Sequence, residues 1–422
     1  MLINFFSYHK KRLRLPLPLT EKSFGVDFPT ETLKEGKVNV LVPKLSAYVK
    51  NASEYAPSKA PIFYNPVMEL NRDLSVLAVQ AYQLRVNREI SVCEPLASSG
   101  VRGVRYAAEV RGVGKVLVND ISSRAVEVAE HNVRVNGLEG RVSVEHLDAN
   151  CLLSCCGGSH KRFDMVDVDP FGTPAPYLDS ALRALRNEGL LALTATDLAP
   201  LCGVHAKACI RKYGGKPLRT EYCHELAVRL LLGCVAVLAA KHEIGTNALF
   251  CHSTDHYIRV YAEIGYGAKK ADASLRKLGY VLHCFNCLHR ETANTLLARD
   301  IEHCPECGSK MDFAGPLWLG QIFDRGFCDV MLKENKVRAF RNSTRIAKLL
   351  STAIDEAESP ATYFVVDKIC SKLSLPVPSV ALVLKVLRDN GFQAVSTHFN
   401  SRGIRTDAAA LKMQLLVKNL SR

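Results

Sequence analysis

Short apolar runs rich in β-branched residues alternate with helical stretches from residue 89 to residue 264. Strands that alternate with helices form a mostly parallel sheet, because each helical crossover returns the chain to the end of the sheet where the previous strand began. Such sheets bind ligands in the loops at the carboxyl ends of their strands. The predicted parallel strands are 90–94, 115–119, 142–146, 163–168 and 190–196, and the predicted antiparallel edge pair is 248–252 and 256–264. The predicted helices are 68–86, 104–110, 122–136, 175–186 and 226–242.

The first two predicted strands end in loops suited to a nucleoside. Glu94 ends the first strand and is followed by small residues, among them Gly100 and Gly103, and Asp120 ends the second strand. Small residues let a ligand approach the backbone, and the acid can bind ribose hydroxyls. A dinucleotide loop usually carries three glycines, and this loop has only two.

An acid at Glu94 favours a cofactor other than a dinucleotide. A carboxylate there can face the cationic amino-acid part of S-adenosylmethionine, which carries no phosphate. After the third strand, Asp148 and Ala149 can bind the adenine amine. The acids that follow three successive strands therefore favour a methyltransferase over a nicotinamide dehydrogenase, and we predict a class I, Rossmann-like methyltransferase sheet.

The fourth predicted strand runs into Asp169-Pro170-Phe171-Gly172. Pro170 fixes its own φ and biases Asp169 toward an extended conformation. A rigid carboxylate beside an aromatic face suits a flat ligand with N–H donors on its edge, such as a nucleobase. The alternative is a strand end followed by an ordinary Asp-Pro turn.

Four of the 15 cysteines form two pairs, Cys284-x-x-Cys287 and Cys304-x-x-Cys307, separated by 16 residues. This spacing is typical of a closed, tetrahedral zinc ribbon. A redox dithiol or disulfides are the alternatives. The other cysteines are scattered through apolar runs, which indicates a reduced compartment and a cytoplasmic protein. Nearby histidines are predicted to be bystanders, since four thiolates fill the shell.

The net charge of +13 and the pI near 9.1 favour a polyanionic partner such as nucleic acid, and a membrane surface remains an alternative. No signal peptide is predicted. The longest helical apolar run, 230–240, is too short to span a bilayer, so we expect no membrane segment.

A basic Gly-Tyr-Gly stretch near residue 267 breaks the strand–helix alternation. We predict a methyltransferase domain at 1–267, with a substrate-side extension at 1–66, and a C-terminal α+β domain at 268–422. The C-terminal domain contains a zinc ribbon at 280–312. Its last part, 360–422, reads as two helices, a strand and a basic hairpin, which resembles a winged helix; an ordinary small α/β unit is the alternative.

Two further residues have two interpretations each, and one further group has a single interpretation. Phe63 is either a second aromatic wall for a base or a core residue. Arg72 either binds the carboxylate of the methionine part or is solvated on its helix. Arg219, Glu221 and His224 are interpreted as a polar network at the start of a helix.

Several motifs, taken in order, resemble a known family. They are Glu35-Gly36-Lys37, Phe63-Tyr64-Asn65-Pro66, Asn71-Arg72-Asp73, residues 97–103, residues 167–174, residues 194–203, the two cysteine pairs, and residues 403–407. The chain resembles the tRNA (guanine-26-N2) dimethyltransferases over nearly its full length, and its compact length is similar to archaeal members.

The resemblance implies two methyl transfers from S-adenosylmethionine to N2 of one tRNA guanosine. It implies that Asp169 orients the guanine and takes its proton, with Phe63, Pro170 and Phe171 around the base. The implied cofactor residues are Arg72, Glu94, Gly100, Arg102, Asp120, Asp148 and Ala149. We expect a monomer that binds tRNA. The alternatives are an amino-methyltransferase acting on another base or on protein glutamine, and a non-catalytic zinc RNA-binding protein.

Overall fold

A computed structural model describes residues 26–49, 56–158, 161–296 and 302–420. The predicted N-terminal extension lies partly outside these residues. Its described part contains an antiparallel hairpin of β1 (Thr30–Glu35) and β2 (Val38–Pro43), followed by helix α1 (Glu69–Val86). Most of α1 is buried, polar side chains included, because it packs between the helix that follows the first strand of the central sheet and a helix from the C-terminal half.

Seven strands form the central sheet in the order β5-β4-β3-β6-β7-β9-β8. The strands are β3 (Ile90–Glu94), β4 (Val113–Asn119), β5 (Val142–Glu145), β6 (Phe163–Val168), β7 (Leu185–Ala195), β8 (Ile244–Thr254) and β9 (Tyr257–Tyr266). Pairs from β5 to β7 are parallel, and β9 runs antiparallel to both β7 and β8. The predicted mostly parallel α/β sheet is confirmed. The strand order reverses between β3 and β6, which is where open α/β sheets bind ligands.

Helices connect these strands. They are α2 (Val101–Glu109), α3 (Ser123–Val135), α4 (Ala149–Gly157), α5 (Leu178–Ala184), α6 (Leu198–Leu201), α7 (Ala206–Tyr213) and α8 (Cys223–Ala240). Ser122 caps α3 by accepting the N–H of Ala125. The predicted helix at 175–186 is wrong in extent. A 3-10 turn occupies Ala175–Tyr177, and the helix ends at Ala184 because the chain enters β7 at the next residue.

The apolar run at 230–240 lies within helix α8, which is longer than the run itself. With 18 residues, α8 is long and apolar enough to cross a membrane by length and composition, which corrects the prediction that this segment is too short. Most of the helix is, however, buried inside the protein. The helix packs against β8 and against a strand of the C-terminal half. It therefore serves as a core helix of the fold.

The C-terminal half consists of two small antiparallel sheets and their helices. Its elements are α9 (Ala268–Leu275), β10 (Leu278–His283), β11 (Arg290–Ala293), β12 (Asp312–Trp318), α10 (Arg325–Lys336), α11 (Ser343–Glu356), β13 (Phe364–Val365), α12 (Val366–Leu373), α13 (Val380–Asp389), β14 (Ala394–Thr397), β15 (Asn400–Thr406) and α14 (Ala410–Leu420). The sheets have the orders β11-β10-β12 and β13-β15-β14. The first of the two helices predicted within 360–422 begins at Val366, because Phe364 and Val365 pair with β15 first.

One hydrophobic cluster extends from the central sheet into this half and includes both Leu231 and Trp318. A Cβ added to Gly233 of α8 would lie 3.1 Å from the Cα of Leu317, so α8 and β12 touch closely. The boundary at residue 267 stays a prediction, and the contacts across it are core contacts.

Four buried charged side chains, here called the α8 network, join the two halves. Glu225 of α8 binds Arg229 at 2.8 Å and Arg405 of β15 at 3.0 Å. Arg405 also binds Glu356 at 2.6 Å, and each member is at most 4% exposed. Burial raises the pKa of Glu356, but Arg405 and His398 outweigh it and lower that pKa to about 2. The network is therefore ionised and closed to solvent.

Candidate functional site

Strand β6 delivers a carboxylate to the point where the strand order reverses. Every residue of β6 is buried, and Asp169 follows its last residue, so the carboxylate emerges where the strand leaves the core. The Asp169 side chain is 21% exposed. Phe171, two residues on, is 75% exposed, and Gly172 adopts a φ of +99° that favours glycine. The predicted rigid acid beside an aromatic ring is present.

Asp169 belongs to a group of charged side chains under this loop, here called the loop network: Arg102, Asp167, Asp169 and Arg259. Arg102 donates to Asp169 Oδ2. Arg259 of β9 binds both oxygens of Asp167 at 2.8 Å. Burial alone would raise the pKa of Asp169, but Arg102 and then Arg259 outweigh it and lower that pKa. Asp169 is therefore an ionised acceptor at neutral pH.

Asp167 has a structural environment. It is fully buried and also accepts a hydrogen bond from Tyr106 Oη at 2.5 Å. Both of its oxygens are thus held, whereas Asp169 retains an exposed edge. Of Asp167 and Asp169, only Asp169 is free to meet a ligand.

The carboxylate of Glu94, at the end of β3, lies on the other side of the reversal point. It is 3% exposed, accepts the Gly103 N–H at 2.8 Å, and lies 3.9 Å from Arg102 Nε. Burial raises the pKa of Glu94 to about 8, although the nearby Arg102 opposes the shift. A cation placed beside Glu94 would therefore favour the ionised form of its carboxyl group.

The loop after β3 is held in place by Asp120, which directly follows β4. Asp120 accepts the N–H of Ser98 at 2.8 Å and the N–H of Ser122 at 2.9 Å. The Ser98 hydroxyl in turn donates to the backbone oxygen of Phe63 at 2.7 Å. The loop after β3 thus positions Phe63, whose ring centroid lies 5.7 Å from that of Phe171 in an edge-to-face contact.

These elements enclose a cavity of about 1050 Å³. Eight of the predicted site residues line it: Phe63, Arg72, Glu94, Arg102, Asp120, Asp169, Pro170 and Phe171. Small-molecule sites typically enclose roughly 300–1,000 Å³, so the cavity has room for a cofactor and a base together.

The sequence pattern of the family described as N2,N2-dimethylguanosine tRNA methyltransferase matches residues 36–418. The chain is 43% identical over 395 residues to the tRNA (guanine(26)-N(2))-dimethyltransferase of Methanobrevibacter smithii, which covers 94% of this chain and 99% of that protein. The chain belongs to this family. It is also 36% identical over 382 residues to the tRNA (guanine(26)-N(2)/guanine(27)-N(2))-dimethyltransferase of Aquifex aeolicus, with 89% of this chain and 93% of that one covered.

The fold is similar to that of a solved family member, Trm1 from Pyrococcus horikoshii in complex with S-adenosyl-L-methionine. The two structures give a TM-score of 0.80 at 32% sequence identity, and the match covers 92% of this chain and 99% of the other. The similarity therefore includes the C-terminal half as well as the central sheet.

Within this family fold, three predicted cofactor residues do not line the cavity: Gly100, Asp148 and Ala149. Gly100 adopts a φ of +70° at the start of α2, and a Cβ there would lie 3.0 Å from that of Ala129. Asp148 caps α4 by accepting the N–H of Cys151 at 2.9 Å. Both residues have local structural roles, and their assignment to the cofactor stays a prediction.

Arg72 lines the cavity, but its guanidinium is already engaged. Glu35 accepts from its Nε and from one terminal nitrogen, each at 2.6 Å, and Arg72 also donates to the backbone oxygen of Asn65 at 3.2 Å. Arg72 is 5% exposed, so the reading of it as a solvated helical arginine is wrong. In this structure it fixes the segment that carries Phe63.

Sequence reasoning missed the residues that the β8–β9 hairpin brings to the cavity, namely Asp255, His256 and Tyr257. It also missed the partners that β9 supplies to the loop network. These residues are far along the chain from the loops they face, and nothing in their local pattern identifies the contact. The proposed network of Arg219, Glu221 and His224 is not present as such: Glu221 pairs with Arg290 at 3.1 Å.

The four predicted metal ligands converge. The sulfur atoms of Cys284, Cys287, Cys304 and Cys307 all lie within 4.8 Å of one another, with Cys284 to Cys307 at 3.6 Å and Cys287 to Cys304 at 3.4 Å. Sulfurs around a tetrahedral zinc ion lie roughly 3.8 Å apart, given Zn–S bonds of about 2.3 Å. The donor set therefore fits zinc.

Two turns of the same design build this cluster. In each, the residue after the second cysteine has a positive φ and its N–H donates back to the first cysteine: Leu288 to Cys284 at 2.9 Å, and Gly308 to Cys304 at 2.8 Å. His283 is fully buried without joining the cluster, and His289 pairs with Glu306 at 3.2 Å. No histidine belongs to the cluster among the described residues.

Proposed function

We propose that this chain transfers methyl groups from S-adenosylmethionine to N2 of guanosine 26 in tRNA, giving the monomethyl and then the dimethyl nucleoside. The observation that carries the proposal is the partly exposed carboxylate of Asp169 beside the rings of Phe63 and Phe171 in one large cavity. Family membership over residues 36–418 supports it.

Asp169 is suited to orienting the guanine. As an ionised carboxylate it accepts hydrogen bonds from the N1–H and N2–H of the base edge. Its pKa is low, so it is a weak base, but the N2 proton becomes acidic as the fourth bond to nitrogen forms, and a weak base then suffices. The base edge has to displace or join Arg102, which holds the same carboxylate.

The two aromatic rings provide the faces for the base. In this structure they touch edge to face, with centroids 5.7 Å apart. A base stacked between parallel rings needs roughly 7 Å between the ring planes, twice the 3.4 Å rise of stacked bases. Guanosine 26 lies within a folded tRNA, so it must leave its stack, and the rings of Phe63 and Phe171 reorient to receive it.

S-adenosylmethionine, when bound, supplies an electrophilic methyl group. The residues placed to hold it are Glu94 for the cationic amino-acid part and Asp120 for the ribose, since both line the cavity next to Asp169. Arg102 lies between Glu94 and Asp169 and can shift its hydrogen bonds toward the carboxylate of the amino-acid part. These assignments follow from the charges and positions of the side chains.

The proposal includes a structural zinc ion held by Cys284, Cys287, Cys304 and Cys307. Four thiolates leave no open position, so the ion stabilises the fold and takes no part in methyl transfer. The part of the chain that follows, with α12, α13 and the β13-β15-β14 sheet, is read as the winged-helix-like unit that contacts tRNA.

Nucleoside mass spectrometry tests the function. The full chain is incubated with S-adenosylmethionine and an unmodified tRNA transcript, and with a matched transcript that carries adenosine at position 26. We expect mono- and dimethylguanosine only from the first transcript. Methylation of another base would support the alternative amino-methyltransferase, and binding of tRNA without methylation would support the non-catalytic protein.

The basic charge gives a second test on the intact chain. Deleting residues after 267 would expose the core shared by Leu231 and Trp318, so tRNA binding is best measured at several salt concentrations instead. If the chain holds tRNA through phosphate contacts, the logarithm of the affinity falls steeply and linearly with the logarithm of salt concentration, by roughly 0.7–0.9 per contact. A flat dependence would contradict phosphate recognition.

A further inference from the structure

A second group of metal-ligating side chains lies outside both the cavity and the four-cysteine cluster. A sulfur of Cys202, a sulfur of Cys223 and a ring nitrogen of His224 all lie within 4.8 Å of one another. Cys202 follows α6, whereas Cys223 and His224 begin α8. The fold therefore brings together donors from two separate elements.

The backbone around this group is fixed. The N–H of Cys202 donates to the oxygen of Leu198 at 2.7 Å, which closes the turn of α6. Gly203 has a φ of +91°, and a Cβ there would lie 2.8 Å from the backbone nitrogen of Arg219. Any side chain at 203 would push this loop away from the segment leading into α8. The glycine thus holds Cys202 close to Cys223.

The three donors are available for a ligand. Cys202 is 9% exposed, the other two are half-buried, and both cysteines are free thiols. Neither ring nitrogen of His224 has a hydrogen-bond partner among the described residues. Neighbouring Glu221 is committed to Arg290.

We propose that Cys202, Cys223 and His224 form a second metal site, which takes a zinc ion or a similar thiophilic divalent cation. Two thiolates and a neutral imidazole balance a charge of +2, so the complex enters a largely buried place without net charge. Donors around tetrahedral zinc lie roughly 3.5–3.8 Å apart, and no pair of donors here is separated by more than 4.8 Å. The fourth position is left to water or a small anion.

The proposed metal site lies next to the loop after β7, which contacts the loop that carries Asp169 and Phe171. Cys202 lies in the loop after β7, and β7 is the parallel neighbour of β6. In the same loop, Thr196 exchanges hydrogen bonds with Gly172: its N–H donates at 2.9 Å, and its hydroxyl accepts at 2.8 Å. A metal at Cys202 and Cys223 therefore clamps the loop after β7 onto α8, and this loop in turn holds the one that carries Asp169 and Phe171.

Thiol reactivity in the unmodified full chain tests the site. The protein is stripped with a chelator, alkylated with or without added zinc chloride, and mapped by peptide mass spectrometry. We expect zinc to slow alkylation of Cys223 roughly tenfold or more, because a coordinated thiolate is a poor nucleophile. Cys234, also half-buried and on the same helix, is the matched control and should react equally in both samples. Equal alkylation of Cys223 in both samples overturns the proposal.

Metal content gives an independent measurement. Wild-type protein should hold two zinc equivalents. Cys202→Ser and Cys223→Ser should each lose one, Cys304→Ser should lose the other, and the buried control Cys209→Ser should retain both. Zinc content unchanged in the first two variants overturns the proposal. A non-reduced mass two hydrogens lower, with a peptide linking Cys202 to Cys223, also overturns it in favour of a redox pair.

Discussion

The loop network and the α8 network contain the same residue types and differ in one respect. Both consist of two arginines and two carboxylates, which are aspartates in the loop network and glutamates in the α8 network. Every member of the α8 network is at most 4% exposed, whereas Asp169 of the loop network is 21% exposed. A closed network can only stabilise the structure. An open carboxylate can exchange its arginine for a ligand, so exposure separates the reactive group from the structural ones.

The first prediction breaks the loop network at its open end. Asp169→Asn keeps an oxygen for Arg102 but cannot accept a proton, so we expect methyl transfer to fall by roughly 10²–10⁴-fold. Cofactor binding measured by calorimetry should change little. The control is Asp179→Asn on α5, an exposed carboxylate that does not line the cavity, which should leave turnover unchanged. Near-normal turnover in Asp169→Asn would rule out the proton-accepting role.

The second prediction breaks the α8 network. Arg405→Leu leaves Glu225 and Glu356 buried without their shared partner, so we expect the free energy of unfolding to drop by about 3–5 kcal/mol. Chemical denaturation of the full chain measures it. The matched control is Arg402→Leu in the same strand, whose ion pair with Asp367 is partly exposed and should contribute at most about 1 kcal/mol. Equal losses in both variants would show that burial is not what distinguishes the two arginines.

The third prediction concerns pH. Burial raises the pKa of Glu94 to about 8, so the folded state holds a proton that the unfolded chain releases near the usual value of 4.5. The stabilisation from this group is complete below that usual value and is lost as pH rises toward 8. Glu94→Gln removes this dependence.

Denaturation of both proteins across this pH range isolates the effect. The wild type should lose stability relative to Glu94→Gln by up to about 1 kcal/mol per pH unit. Parallel curves for the two proteins would mean that Glu94 is already ionised in the free protein. Glu94 lies 3.9 Å from Arg102, so such a result would place an additional negative charge next to the loop network.

Much of the central sheet could be predicted from the chain because its parallel strands are continuous apolar runs. The predicted strand at 163–168 coincides with β6. The β7 strand begins five residues earlier than predicted because Leu185 already pairs with Phe163, and an irregular polar stretch follows before regular pairing resumes at Leu190. The short helices α6 and α7 were not predicted, since each has too few residues to show a helical period.

Some residues of the candidate site could likewise be predicted from the sequence, and others could not. Loops directly after β3, β4 and β6 could be recognised, because a parallel sheet places the ends of its strands together. Asp255, His256 and Tyr257 could not, since their position depends on how a distant hairpin folds back. The same holds for Cys202 beside His224, which come together only when α6 packs on α8.

The local pattern predicts that Asp167 and Asp169 lie on one face of a strand end beside Phe171, because side chains alternate along a strand. Which of the two acids is available depends on contacts with distant parts of the chain. Arg259, 92 residues away from Asp167, is brought next to it by the antiparallel pairing of β9 with β7, and its guanidinium occupies the Asp167 carboxylate. Asp169 is the first residue after the end of β6, and one edge of its carboxylate is exposed to the cavity.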